Sequence, residues 1–436
     1  GASISGVQTL NANGFYLMPD FTVQFLSGSV TLNNSSFNSF NSIEAYNITT
    51  ASGGVYNFNG KVANTVNVTI GSNAGTEIIA NGYTGNTIKA SAFGNDTLIG
   101  VANSSITLNA DDSHGNNTLV SDGNVSTLSA DNSTGDNHLT GNGDGYLIMS
   151  ADGSTGNNVL TSNSNGYDTI SADDSTGNNI LSAISGMLRA DYSSGDNSLT
   201  ISNGTASANG SDGNNTFNVA NGSAYANGST GNNQFNVTTG TANAIDSDGN
   251  NVFNVSQGSA SANDSFGDNT FNIINGSAYA DRSIGNNLFN ITTGSVSAND
   301  SDGNNVFNIS QGSVTAYDSF GNNTFNIING NVFADGASGN NTINITSGNA
   351  NADNSDGNNL FNVTTGSVSA NNSFGNNTIN VGVGSASANG SYGDNHLTTG
   401  DGTSELSASG SFGDNHLTAG DGNHNLSVFG SSGNNT

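Results

Sequence analysis

SDGNNTFNVANGSAYANG, residues 211–228, is followed by STGNNQFNVTTGTANAID at 229–246 and SDGNNVFNVSQGSASAND at 247–264. These are three copies of one eighteen-residue unit. The Gly of its GNN or GDN triplet falls at 213, 231, 249, 267, 285, 303, 321, 339, 357, 375 and 393, without a slip. A fixed short period of this kind is the signature of a solenoid. Each unit divides into two nines, with Gly in the third place of each, as at Gly213 and Gly222. After that Gly the residues alternate. Phe217 and Val219 share one face, and Thr216 and Asn218 share the other. In the second nine, Ala224 and Ala226 oppose Ser223, Tyr225 and Asn227. Alternation with period two means strand. The expected fold is all-β: a parallel β-solenoid whose eighteen-residue coils each hold two short strands and two Gly-marked turns.

Coils that stack through parallel strands lie about 4.8 Å apart, so equivalent residues form columns. The expected core stack is Phe217, Phe235, Phe253, Phe271, Phe289, Phe307 and Phe325, continued by Ile343, Phe361 and Ile379. A neighbouring column runs from Val219 to Val381, and the facing wall is mostly Ala or Val, as at Ala260 and Ala262. Large residues on one wall and small ones on the other fill a thin core without voids.

Away from this stretch the period changes. Marker glycines at 94, 115, 135, 156, 177 and 195 are spaced by 18 to 21 residues, and after Gly393 the spacing widens to 20. The extra residues are expected as bulges or longer turns on one edge, so the longer coils lie toward both ends. A period of 54 overlies the eighteens: VFNVSQGS at 252–259 returns as VFNISQGS at 306–313. Residues 91–436 therefore read as the repeat domain. Residues 1–90 read as irregular β, acting as an N-terminal cap or an assembly contact. The apolar segment from Phe15 to Leu26, around Pro19, is the surface expected to meet the open last coil of another copy. Such a head-to-tail contact does not close on itself and propagates into a fibre.

Composition narrows the function. Of 436 residues, four are basic (Lys61, Lys89, Arg189 and Arg282) and 33 are acidic, for a net charge of −29. Nucleic-acid binding needs a basic surface, and so does attraction to anionic lipid. Neither is expected, nor is membrane insertion, because no apolar run reaches the length of a span. There is no Cys, hence no disulfide framework. No basic start followed by an apolar stretch marks a secretory leader, so export would use a leader already removed or a signal elsewhere. No enzyme is expected: the repeat positions no nucleophile beside a base, builds no cleft and offers few cations for an oxyanion.

The nonapeptide register resembles a known family. AFGNDTLIG at 92–100, SFGDNHLTA at 411–419 and AGDGNHNLS at 419–427 are similar to the repeats-in-toxin (RTX) unit G-G-x-G-x-D-x-U-x, where U is a large apolar residue. Asp96 stands at the Asp place and Leu98 at U. The GNNTFNV units keep the Gly and U places, so the likeness covers about 92–436. SIEAYNITT at 42–50 also looks like a strand phrase of surface-layer proteins and large adhesins that carry such repeats. The resemblance implies a β-roll, an extracellular or cell-surface location, and Ca²⁺ held in the turns by the repeated Asp. This chain departs from that pattern. The Asp place holds Asn at 117, 137, 158, 179 and 197, and then Asn215, Asn233, Asn251, Asn269, Asn287, Asn305 and Asn323. A neutral amide does not offset a dication as carboxylate does. Stacked amides instead form a ladder along the axis. The expectation is a degenerate β-roll in which Asn ladders have largely replaced calcium turns.

Acids collect in the other turn, in the column Asp111, Asp131, Asp152, Asp173 and Asp191. Stacked carboxylates repel unless a cation or water lies between them. With Asp96, this column is the first candidate Ca²⁺ site. The second is the Asp-x-Asp-Gly-Asn loop at Asp246 and Asp248, repeated at Asp300 and Asp302, whose oxygens lie on a tight Gly turn. The competing reading for both is an exposed turn rich in the residues that turns favour. His138, His396 and His416 share one outward place. The last two would lie one coil apart, but the pattern fixes no third metal ligand. The outward Asn column from Asn218 to Asn380 opens several N-x-S/T phrases, read here as chance in an Asn- and Thr-rich chain. The function expected from all this is a secreted structural or adhesive protein forming a surface layer, fibre or stalk by self-association. The alternative is a binding module that reads ice or cell-surface polysaccharide on its flat Asn/Thr face. Ice would want a regular grid. The place before the marker Gly is irregular, filled by Asp212, Thr230, Asp248, Phe266, Ile284 and Asp302.

Overall fold

The structure, a computed structural model, describes residues 9–11, 22–24, 29–40, 42–62 and 65–436. It is a parallel β-solenoid made of two compact units that divide between Gly222 and Ser223. The expected docking segment from Phe15 to Leu26 lies outside the described residues, apart from the strand Thr22–Gln24. The helix Asn34–Ser39 is capped by Asn33, whose side chain accepts from the Ser36 N–H. Among the described residues no helix is long and apolar enough to cross a membrane.

In the first unit, from Thr97 as far as Asp168–Ser171, each coil contributes two short strands, one to each of two parallel stacks. Thr97–Gly100 pairs in parallel with Thr118–Ser121 on one side, and Ser105–Asn109 with Val125–Ser129 on the other. The same parallel stacking already joins Ser29–Leu32, Asn47–Thr50 and Asn67–Ile70. Register places like on like. Leu98 meets Leu119, then Leu139, Leu160, Leu181 and Leu199, and each is fully buried. Leu108, Leu128, Met149, Ile170 and Leu188 line the facing wall.

The longer coils carry their extra residues where expected, on one edge. Ten positions separate Leu160 from Ile170, but seven separate Leu181 from Leu188. With those residues gone the two strands fuse. From Ile180–Arg189 to Leu288–Ser297 each coil has one ten-residue strand bent at a glycine, rather than the two short strands that alternation suggests. From Val306 on, the strand divides again, as Val306–Gln311 and Val314–Thr315. The bend needs glycine for two reasons. Gly258 sits at φ +142, where L side chains are strained, and a Cβ there would collide with the Gly240 carbonyl of the coil below. The marker Gly249 has only the second reason, since a Cβ there would strike the Gly231 carbonyl, whereas the markers Gly303, Gly321, Gly339 and Gly357 also have φ of 89–100°.

In the second unit the Phe column is the core, as expected. Phe235, Phe253, Phe271, Phe289 and Phe307 are fully buried and stack at 4.8 Å with ring planes within 9°. Phe325 follows at 4.6 Å. Phe217 is the equivalent residue of the first unit and is likewise fully buried. Ala242, Ala260, Ala278 and Val296 face the rings from the other wall. Each buried Phe contributes roughly 1.5–3 kcal/mol.

The remaining connection, Ala to Asn-Asn, is a turn whose second residue after Ala adopts the left-handed conformation. Asp246, Asp264, Asp300 and Asp318 have φ of 50–58°, and Gly228 has φ 64°. Asp, Asn and Gly suit that conformation best. Arg282 occupies it too, at φ 57°, and its guanidinium donates two bonds of 2.7 Å to Asp264 in the coil below.

Candidate functional site: the side-chain ladders

The turn Ser-x-Gly-x-Asn builds the innermost ladder. In one coil the Asn269 amide donates to Ser265 Oγ at 2.9 Å and to the Gly267 carbonyl at 2.8 Å. Ser265 Oγ in turn donates to the Ala262 carbonyl at 2.7 Å. Asn269 Oδ1 accepts the backbone N–H of Asn251 at 2.9 Å, and the Asn269 N–H passes the same bond to Asn287 Oδ1 at 3.0 Å. Asn233, Asn251, Asn287 and Asn305 repeat these contacts in the second unit, and Asn323 repeats those to the Gly321 carbonyl and to the next Asn. Asn117 to Asn215 repeat them in the first. The ladder is buried, and both ends of the amide are used. That is why the column tolerates no Asp after Asp96.

Asp96 begins this ladder. Its carboxylate is buried, and Oδ1 accepts the Thr76 N–H at 2.9 Å. Oδ2 accepts the Ser91 N–H at 2.8 Å and the Ser91 hydroxyl at 2.6 Å. Protein donors therefore occupy the one residue that stands at the family's calcium place.

The column Asp111, Asp131, Asp152, Asp173 and Asp191 is brought together as expected, one residue per coil, and it has a structural task. Oδ1 of each accepts the backbone N–H of the next coil's equivalent residue, at 2.8–2.9 Å from Asp111 to Asp191. Asp191 Oδ1 serves Asn209 in the same way at 2.7 Å. Asn serves equally well, as when Asn263 accepts from Asp281 at 2.9 Å and Asn299 from Tyr317 at 3.0 Å. Extra donors reach Asp111 from Ser129 and Asn109. Arg189 lies 2.7 Å from Asp173 and 3.3 Å from Asp191. Burial pushes the Asp173 carboxyl up to about 6, outweighing the Asp191 N–H and Arg189, both of which favour the charge. Burial raises Asp131 as well. Among the described residues, no group of three or more His, Asp or Glu is arranged to hold a metal ion.

The two Asp-x-Asp-Gly-Asn loops point outward. Asp246, Asp248, Asp300 and Asp302 are exposed, and each pair flanks a buried serine, Ser247 or Ser301, which bonds back to an Ala carbonyl at 2.8 Å. The imidazoles of His396 and His416 stack face to face at 4.7 Å. His416 uses both ring nitrogens on Thr436 and Thr418, at 2.6 and 3.1 Å, so the pair does not converge on a shared ion.

Sequence reasoning missed a second turn ladder beside the buried one. The exposed residue before each buried Asn caps the following coil. Asn250 accepts the Asp268 N–H and Asp268 accepts the Asn286 N–H, both at 2.6 Å. The free exchange of Asn and Asp in this column was the available signal, because only an oxygen is needed. The half-buried contact of Ser404 Oγ with His424 Nδ1 at 2.6 Å, with Thr399 behind it at 2.9 Å, follows from no pattern in the repeat.

The outward sheet face carries a third ladder. Amides from Asn254 to Asn362 each donate to the preceding Asn Oδ1 at 2.9 Å. The N-x-S/T phrases thus lie in regular strand with their amides engaged. Beside this ladder runs an outward column of Ser256, Ile274, Thr292, Ser310, Ile328, Thr346 and Thr364. Depressions of about 280, 480 and 350 Å³ lie between the two columns. No family model, curated protein or solved structure matches this chain.

Proposed function

We propose that the chain is a secreted structural protein, an RTX-like β-solenoid that serves as a spacer in a surface layer, fibre or stalk, with no catalytic role. One observation carries this reading. Within each unit the apolar core columns and the Asn and Asp ladders continue into the next coil in register, and the polar side chains of those ladders are spent on bonding the neighbouring coil, while a few turn acids such as Asp246 and Asp302 stay exposed. The chemistry of the repeat is directed along the stack rather than at a substrate. Such a design sets a distance: each coil adds about 4.8 Å, the spacing of the stacked Phe rings. The scarcity of Lys and Arg suits an extracellular setting, where proteases that cut at basic residues act. Association of copies belongs to the proposal. Phe374, Tyr392 and Phe412 stack at 4.8 and 4.9 Å and stay more than half exposed, an apolar ridge of the kind that marks contact surfaces.

The block of 54 allows a direct test. Deleting residues 252–305 removes three coils and joins Asn251 to Val306 in the same register. A spacer should fold as before, and its largest dimension by small-angle scattering should fall by about 14 Å, three coil heights. A deleted chain that unfolds, or one whose dimension does not change, would remove the spacer reading. Negative-stain images at rising concentration test the assembly part: ordered filaments or lattices are expected, and monomers at every concentration would refute it.

A further inference from the structure

The three depressions of the outward face are segments of one trough. Asn362 and Thr364 line two of them, and all three are walled by the same two columns. The trough runs from the coil of Asn254 to that of Thr398, eight coil heights or about 38 Å. We propose that it binds a linear, uncharged polysaccharide laid lengthwise along the coils.

Four features of the trough point to that ligand. No charged residue lines any of the three segments, in a chain of net charge −29. A polyanion is repelled from the molecule, and a polycation finds no partner in the trough. The polar part of the lining is amide and hydroxyl, set among Ile and Val. An Asn amide offers two donors and two oxygen lone pairs, and the ladder uses one of each. Each coil therefore presents one further N–H and one lone pair at a fixed spacing, the mixed donor–acceptor pattern that sugar hydroxyls match. The ladder also holds those amides in place before binding, which lowers the ordering cost. Finally, Ile274 and Ile328 stand in the trough 59% and 58% exposed, one in each 54-residue block. They give apolar pads for the C–H faces of sugar rings, as in sites that combine apolar walls with a few placed polar groups. The trough is open along its length and repeats coil by coil, so it suits a polymer better than a single sugar.

Affinity electrophoresis through gels containing hydroxyethylcellulose, galactomannan or dextran, with polygalacturonate as the charged control, tests this. The native chain should be retarded by at least one neutral polymer and not by polygalacturonate. The variant Asn308→Leu, Asn326→Leu, Asn344→Leu removes the amides from three coils of a solvent-facing column and should lose at least ten-fold in affinity. Ser367→Leu with Ser369→Leu, on the other outward face, should bind as the native chain does. If the triple variant does not keep its circular dichroism spectrum, Ile328→Lys decides instead, since that side chain is already exposed. Two results overturn the proposal: no retardation of the native chain by any neutral polymer, or equal retardation of a folded trough variant. Neither bears on the spacer reading, which the coil deletion measures by length.

Discussion

Asn269→Asp replaces one atom group in a buried turn, and the structure sets its cost. The amide nitrogen of Asn269 donates to Ser265 Oγ and to the Gly267 carbonyl, at 2.9 and 2.8 Å. Carboxylate has no donor. Ser265 can turn its hydroxyl toward the new oxygen, but only by giving up the Ala262 carbonyl. The Gly267 carbonyl cannot turn, and it is left facing an acceptor. Two lost bonds cost about 1 kcal/mol each, and opposed buried acceptors about 1–3 kcal/mol more. The expected destabilisation is about 3–5 kcal/mol, the range for a buried charge without its partner. The paired control is Asn304→Asp, in the exposed ladder. There only Oδ1 is used, to accept the Asn322 N–H at 2.7 Å, and both neighbours, Asn286 and Asn322, are neutral. That change should stay within about 0.5 kcal/mol. Urea unfolding followed by circular dichroism measures both, compared as midpoints because repeat arrays need not unfold in one step. Equal midpoints for the two variants would refute the assignment of buried and exposed ladders. So would recovery of Asn269→Asp on adding millimolar Ca²⁺, which would show that this turn is a calcium site awaiting its carboxylate.

Other expectations use the same molecule. Phe271→Asp should abolish folding of the second unit, since an unpaired buried carboxylate costs several kcal/mol, whereas Thr270→Asp on the outward face should be tolerated; like behaviour by circular dichroism would invert the inside–outside register. Removal of Ca²⁺ with a chelator should leave the β signal of residues 200–400 intact, because the turn donors and acceptors bond one another; loss of that signal would show metal in the turns. The Asp173 carboxyl, raised to about 6 by burial, holds its proton more tightly folded than unfolded. Its contribution is therefore fully present below the ordinary carboxylate pKa and is lost as pH rises through about 6. Melting temperature should fall between pH 4 and pH 7, and Asp173→Asn should flatten that slope, gaining about 1–2 kcal/mol at pH 7 after allowance for screening. An unchanged slope in the variant would place the titration elsewhere.

The architecture was legible because the solenoid is a one-dimensional object written at a fixed period. Phe235 to Phe325 recur every eighteen residues, and a column of identical apolar residues has one stable arrangement. The parity of Phe271 against Thr270 was likewise decided by alternation, since a slip by one residue would turn the whole Phe column outward. The continuity of the ten-residue strands was not legible. Gly in the middle of Leu288–Ser297 reads as a turn, yet inter-coil bonding runs straight through Gly294, which pairs with Gly276. A corner and a turn use the same residue. What separates them is whether the coil below offers its carbonyl in register, which is a property of the stack and not of the segment.

The candidate site was legible in position but not in its bonding, because spacing reports where a side chain sits but not which of its atoms is used. Three columns in the turns draw on the same small set of residues and differ in that respect. Where only an oxygen is needed and water is near, Asn and Asp exchange, as at Asn250, Asp268 and Asn286. Where only an oxygen is needed but the residue is half-buried, Asn and Asp again both serve, as at Asn263 and Asp173, and burial raises the Asp173 carboxyl. Where the nitrogen is also used in a buried turn, as at Asn269, Asn alone remains. The acidic column from Asp111 to Asp191 resembled a metal site because carboxylates at one coil spacing need something between them. The backbone N–H of the next coil is that something, at 2.8–2.9 Å throughout. In this column each carboxylate meets a peptide donor before it meets its neighbour. The outward Asn column has no such N–H facing it, only the amides above and below, and that is why its remaining hydrogen-bonding capacity is turned to the solvent side.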